Sequence, residues 1–163
     1  MTKDVVVIMG SRSDRVTAEA VKASLESFGI PCRLRIASAH KTPQQLLQML
    51  EAYEAGDQVG VYITIAGRSN ALSGMVDASV TAPVIACPPP SEPFASQDIF
   101  SSLRMPSGVC PAVVMEPANA ALLAAKILAV GDPSLREAVQ TYHQRLVEGI
   151  VKDDEALQHQ KHG

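Results

Sequence analysis

Tryptophan is absent from this chain, and Tyr and Phe number three each, so aromatic residues make up only 4% of its 163 positions. A core without large rings has to be built from Ala, Val, Ile and Leu, the residues that fill parallel sheets flanked by helices. A strong charge of one sign is also missing. The formal net charge is -3, which excludes a broad basic surface for a nucleic-acid backbone. A few local cations or backbone N–H groups could still hold one ligand phosphate. No uncharged apolar run reaches the ~18 residues that a membrane span requires. Met1-Thr2-Lys3-Asp4 leads directly into a short apolar run with no signal-peptide pattern. The expectation is a cytoplasmic protein with neither membrane nor nucleic-acid partners.

The three cysteines, Cys32, Cys87 and Cys110, are odd in number and widely spaced, with no C-x-x-C pair and no histidine at ligand spacing. Reduced, mostly buried thiols are expected, and no metal site. Glu116 and Asp98 are isolated carboxylates without an evident acidic partner. No Walker loop, G-x-G-x-x-G fingerprint or G-x-S-x-G elbow occurs.

Hydrophobic residues supply 47% of the chain and charged ones 19%, which fits one folded domain, here residues 1–157. The tail, 158–163, is expected to be disordered. Asp4–Met9 is β-branched and ended by Gly10, as a strand buried on both faces would be. Arg15–Phe28 has helical spacing through Val16, Ala20, Ala23 and Phe28 and stops at Gly29 and Pro31. Strands are expected at Cys32–Ala37, Val59–Ala66, Pro83–Cys87 and Ala112–Met115. Between them lie a helix opened by Thr42-Pro43 and ending near Ala55-Gly56, a short one at Leu72–Val80, and one or two helical turns at Gln97–Arg104. Ala118–Val130 is apolar almost all round, so both of its faces should pack. Pro133–Leu157 forms a long last helix with a stripe at Leu135, Val139, Tyr142, Leu146 and Ile150.

This β-α alternation predicts a three-layer α/β/α sandwich with a doubly wound parallel sheet of the flavodoxin-like kind. Such sheets bind ligands outside the carboxyl ends of their strands, which selects three segments. Gly10-Ser11-Arg12-Ser13-Asp14 offers close backbone approach, hydroxyls and a helix N-terminus for a phosphate, with Asp14 suited to sugar hydroxyls; a plain helix cap is the alternative. Ser38-Ala39-His40-Lys41-Thr42 places the only histidine of the first three-quarters of the chain at a strand end. Imidazole can take or give a proton there, and Lys41 supplies a point charge for phosphate. A hydrogen-bonded loop with a solvated lysine is the alternative. Gly67-Arg68-Ser69-Asn70-Ala71-Leu72-Ser73-Gly74 sets guanidinium, hydroxyl and amide groups at the same edge, or else merely caps a helix.

Together the strings MGSRSD, SAHKTP and AGRSNALSG, followed by ACPPPSEPF, SSLRMPSG and NAALLAAKIL, resemble the phosphoribosylaminoimidazole carboxylase (PurE) family over nearly the whole chain. The resemblance implies reversible carboxylation of 5-aminoimidazole ribonucleotide (AIR) to its 4-carboxy derivative in purine biosynthesis. One branch of the family isomerises N5-carboxyaminoimidazole ribonucleotide and typically has Arg after the loop His and a GGAAHLPG-like third loop. Here Lys41 follows His40, and the second His of that branch falls on Ala71. The chain is thus similar to the direct CO2-using branch, class II. By the same resemblance, Ser11, Ser13 and Asp14 hold the ribose and phosphate end, and Ser38 and Lys41 complete phosphate binding. Gly67, Arg68, Ser69 and Asn70 surround the imidazole and CO2, and His40 carries the proton. Gly10, Ala39, Leu72 and Ser73 complete the expected binding set.

The resemblance further implies no cofactor, neither ATP, biotin nor metal, and a homo-oligomer: an octamer, with a tetramer as the smaller alternative. Outside the family, the rival is a non-catalytic flavodoxin-like nucleotide-binding module. A phospho-receiver would need acidic residues where Met9-Gly10 and Ala66-Gly67 stand, and a flavin site would usually bring aromatics that this chain lacks.

Overall fold

A computed structural model describes residues 3–92 and 95–160. Five parallel strands form one sheet in the order β2-β1-β3-β4-β5. They are β1 (Asp4–Met9), β2 (Cys32–Ile36), β3 (Val59–Ile65), β4 (Val84–Ala86) and β5 (Ala112–Val113). This is the flavodoxin-like order, and its connections reverse direction between β1 and β3. The helices are α1 (Arg15–Ser27), α2 (Pro43–Glu54), α3 (Ala71–Asp77), α4 (Phe100–Leu103), α5 (Pro117–Leu128) and α6 (Pro133–Gln160).

The apolar runs of β1 and β3 are there because both faces of each strand are covered. Val5, Val7 and Met9 join Val61, Ile63 and Ile65 under α1, α5 and the start of α6. Val6 and Ile8 join Tyr62 under α2 and α3. β3 carries one extra residue at its start: Asp4 pairs with Val59, but Val5 already pairs with Val61. This bulge turns Val59 to the same face as Tyr62. The extra residue is Gly60, where a Cβ would lie 2.8 Å from Lys3 Cβ and collide with Leu128. β2 lies at the sheet edge and keeps Arg33 and Arg35 exposed, which discourages pairing with a foreign strand.

Of the stripe its sequence suggested, helix α1 buries only Phe28, at its C-terminal end, and otherwise turns a different face inward. Ala18, Val21 and Leu25 are buried, whereas Val16 is 82% exposed and Ala20 and Ala23 also face outward. The spacing of three small or β-branched residues fitted two stripes equally well, and only Leu25 carries enough apolar surface to choose between them. Helix α5 packs on both sides as expected. Ala120, Ala121, Ala124 and Ala125 are fully buried, and these small side chains let the helix approach both the sheet and α1 closely.

The last helix extends beyond Leu157 to Gln160, so residues 158–160 are helical; 161–163 lie outside the described residues. Its stripe divides at Tyr142. Leu135 and Val139 are buried and Tyr142 meets the Phe28 ring at 5.2 Å, but Leu146, Val147, Ile150 and Val151 are exposed. Cys87 is buried and Cys32 half-buried, and burial pushes each thiol up to about 11. Cys110 departs from the expected burial and is exposed. Among the described residues no helix is long and apolar enough to cross a membrane.

Candidate active site

Register decides where the three loops begin. Met9 is level with Ile36 of β2 and Ile65 of β3. The ladder then continues past the strands, with Ala37 N–H donating to the Met9 carbonyl at 3.0 Å and Gly10 N–H to the Ile65 carbonyl at 2.9 Å. Cys87 N–H donates to the Thr64 carbonyl at 2.8 Å. Four chain segments therefore leave the sheet at one edge and enclose a cleft of about 730 Å³, within the size range of small-ligand sites.

Gly10, Ser11, Ser13, Asp14, Ser38, Ala39, His40, Lys41, Gly67, Arg68, Ser69 and Leu72 all line this cleft. His40 and Lys41 are exposed to it and not folded into the interior. Two expected residues are elsewhere. Asn70 is buried, its amide donating to Ser102 Oγ at 2.8 Å and its Oδ1 accepting the Ser73 N–H at 3.2 Å. It caps α3 instead of lining the cleft. Ser73 is fully buried, and among the described residues its hydroxyl has no hydrogen-bond partner. The fourth wall, from Pro89, Pro90, Ser91 and Glu92, was not among the expected site residues; Ala66, at the start of the third loop, also lines the cleft. The signal was present: Pro88-Pro89-Pro90 stiffens the exit from β4, and the same edge rule applies to that strand.

Each loop is shaped by its own hydrogen bonds. In the first, a 3-10 turn at Arg12–Asp14 separates β1 from α1. Asp14 Oδ2 accepts the Ser11 N–H at 3.0 Å and the Ser11 hydroxyl at 3.2 Å, and Ser11 Oγ lies 2.5 Å from Ser13 Oγ. The carboxylate thus organises the loop through Oδ2, on the cleft wall. In the second, Ser38 N–H donates to Thr42 Oγ1 at 3.0 Å and Lys41 N–H to Ser38 Oγ at 3.2 Å. Thr42 precedes α2 in the N-cap position, but its hydroxyl turns back into the loop and leaves the helix uncapped by a side chain.

The third loop cannot hold its shape alone. Arg68 has φ +59°, a left-handed conformation that costs a non-glycine residue on the order of 1–3 kcal/mol. Its N–H donates to Asp98 Oδ2 at 2.9 Å, and Ser101 Oγ lies 2.9 Å from its carbonyl. Asn70 N–H donates to the same Ser101 Oγ at 3.0 Å. Asp98, an isolated carboxylate in sequence, is therefore engaged with the backbone of a residue thirty positions earlier.

Charge in the cleft is mixed. Arg68, Lys41 and His40 stand with Asp14 and Glu92, a set that suits a ligand with one anionic end and hydroxyls to bind. Among the described residues no three His, Cys, Asp or Glu side chains group as metal ligands.

Comparison with known proteins adds a family to this geometry. Residues 4–148 match the family model described as AIR carboxylase. The chain is 52% identical to phosphoribosylaminoimidazole carboxylase of Treponema denticola over 153 residues, 94% of this chain and 96% of the relative. It is 51% identical to the enzyme of the same name from Archaeoglobus fulgidus over 152 residues, 93% of this chain and 83% of the relative. The crystal structure of Treponema denticola PurE superimposes with a TM-score of 0.92 at 52% identity, covering 94% of this chain and 97% of that one.

The assignment of Asn70 to the scaffold has a measurable consequence. Asn70→Ala removes a helix cap and leaves Ser102 Oγ without its donor, so unfolding stability should fall by about 1–3 kcal/mol. Urea unfolding followed by far-UV circular dichroism measures this. Unchanged stability would return Asn70 to the pool of ligand contacts.

Proposed function

We propose, from the premise that the chain belongs to the AIR carboxylase family, that it adds CO2 directly to the imidazole carbon of AIR. Family membership makes it a carboxy-lyase of purine biosynthesis; the direct use of CO2 without ATP, biotin or metal is the finer reading. The observation that carries it is that His40 faces the same cleft as the loops following β1 and β3. A proton carrier, phosphate-binding groups and a cationic loop thereby surround one ligand-sized space.

The chemistry needs little more. The aminoimidazole ring is an enamine, so its carbon is nucleophilic, and CO2 is electrophilic. Attack forms the C–C bond and leaves that carbon bearing both a carboxylate and a hydrogen. Loss of this proton to the His40 imidazole restores the aromatic ring, and His40 returns it in the reverse decarboxylation. The protein positions two reactants and stabilises a developing carboxylate. Arg68 suits the stabilising role, because among the described residues its guanidinium forms no ion pair. Ser11, Ser13 and Asp14 suit the ribose and phosphate end, with Ser38 and Lys41 beside it. Against the mutase reading stand Lys41 after His40 and Ala71 in the place of the mutase branch's second histidine. Such an enzyme would act in the cytoplasm.

The purified protein should consume AIR in the presence of CO2, followed by the ultraviolet absorbance of the carboxylated product. Turnover of N5-carboxyaminoimidazole ribonucleotide with none of AIR plus CO2 would replace this reading by the mutase. His40→Asn should fold normally, since the side chain is exposed, and lose roughly 10²-fold or more in kcat. Near-normal turnover in that variant would remove His40 from the mechanism.

The exposed stripe on α6 continues the buried one formed by Leu135 and Val139, and a second copy of the chain is the occupant we propose for it. The family resemblance points to an octamer, with a tetramer as the smaller form. Light scattering should give a mass several times that of one chain, and a stable monomer at micromolar concentration would refute the assembly.

A further inference from the structure

We propose that Asp98, assisted by Ser101, is a positioning residue for carboxylation: its carboxylate fixes the backbone of Arg68 so that the Arg68 guanidinium and Ser69 face the reacting carbon. This rests on the carboxylase reading and extends it to residues outside the cleft wall.

Three observations support the assignment. Arg68 sits in the left-handed region at φ +59°, which a side-chain-bearing residue keeps only where its surroundings over-determine it. The surroundings here come from the segment around α4. Asp98 Oδ2 accepts the Arg68 N–H at 2.9 Å, and Ser101 Oγ is 2.9 Å from the Arg68 carbonyl and accepts the Asn70 N–H at 3.0 Å. The Ser101 hydroxyl is itself placed 2.7 Å from the Asp98 carbonyl, so the two residues form one unit.

The second observation concerns which part of Arg68 is bound. A carboxylate beside an arginine usually takes the guanidinium. Here it takes the main-chain N–H, and the guanidinium is left without an ion pair among the described residues. The backbone that carries the cation is thereby held without the charge being neutralised, as suits a group meant for an external carboxylate.

Third, Arg68 and Gly67, with Ala66, Pro89, Pro90 and Ser91, lie between the main cleft and a small adjoining recess that Asp98 and Ser102 line. A shift of the Asp98 segment can therefore reach the cleft through Arg68, whose N–H Asp98 accepts directly, and also through Ser91, whose carbonyl accepts the Ser96 N–H at 3.0 Å. Asp98 lines the recess and not the cleft, which makes it a positioning residue acting through Arg68.

Asp98→Ala should lower kcat/KM for CO2 by about 10- to 100-fold, the effect expected of a reacting group displaced by about an ångström. The KM for AIR should change little, because the ribose and phosphate end is assigned to the first two loops. Asp98→Asn keeps an oxygen acceptor for the Arg68 N–H and should recover activity to within about threefold of the parent. Ser101→Ala should show the same pattern in weaker form, and it decides the matter if Asp98→Ala fails to fold. Amide hydrogen exchange on the ligand-free variants supplies a readout independent of any substrate: the Arg68 and Asn70 amides should exchange at least about tenfold faster while core amides hold.

Unchanged CO2 kinetics in Asp98→Ala, equal losses in Asp98→Ala and Asp98→Asn, or unaltered exchange at Arg68 would each overturn the proposal. If the parent protein itself fails to use CO2, the carboxylase reading fails separately, and the exchange experiment still decides whether Asp98 holds the loop.

Discussion

Strands β1 and β3 have no face turned to solvent, and the need to bury both faces of both strands organises the rest of the molecule. Val5 through Ile8 and Val61 through Ile63 are completely inaccessible. At roughly 25 cal/mol per Å² of apolar surface removed from water, each such side chain contributes on the order of 1.5–3 kcal/mol. Helices α1 and α5 cover one side and α2 and α3 the other. Covering both faces forces crossover connections between parallel strands, and parallel strands end at the same edge. The cleft is a by-product of that burial: it lies where the first strand's neighbours β2 and β3 are reached by crossovers that run in opposite directions.

The sheet gives the loops a common starting level, but not their shapes. Two of them are self-contained. Asp14 holds Ser11 through one carboxylate oxygen and Ser11 in turn pairs with Ser13, while Ser38 and Thr42 close a ring of local bonds behind His40. The third borrows its conformation from residues 98–102, thirty positions along the chain. This division matches the chemistry assigned to each. Binding a ribose phosphate requires several tolerant polar contacts, whereas directing a cation at a reacting carbon requires a fixed backbone.

A cleft of mixed charge, open to solvent and carrying one histidine, also explains how the proposed reaction can proceed without a strongly bound helper group. In the proposed reaction the substrate brings its own nucleophile, and the work left to the enzyme is positional. That work tolerates exposed polar groups because the energetic contribution comes from their preorganisation and not from deep burial. The exposed continuation of the α6 stripe adds a constraint of a different kind. Its first half is consumed in the domain's own core and its second half is not, so the helix links the interior of one chain to whatever covers the remainder.

Sequence alone determined the elements, their alternation and the edge at which the site had to lie, because strand burial, helix-opening prolines and strand-ending glycines are local signals. Strand ends selected the three loops, and the family resemblance completed the twelve expected residues that line the cleft. Tertiary structure decided what depends on non-local partners. Which face of α1 is buried followed from Leu25 meeting the sheet, not from the Val16, Ala20 and Ala23 spacing. Asn70 and Ser73 belong to the scaffold because α4 packs over them, and Pro89 to Glu92 joined the site because β4 ends level with β3. Asp98 was unreadable for the same reason: a carboxylate's role is set by the N–H it meets, and that N–H is thirty residues away.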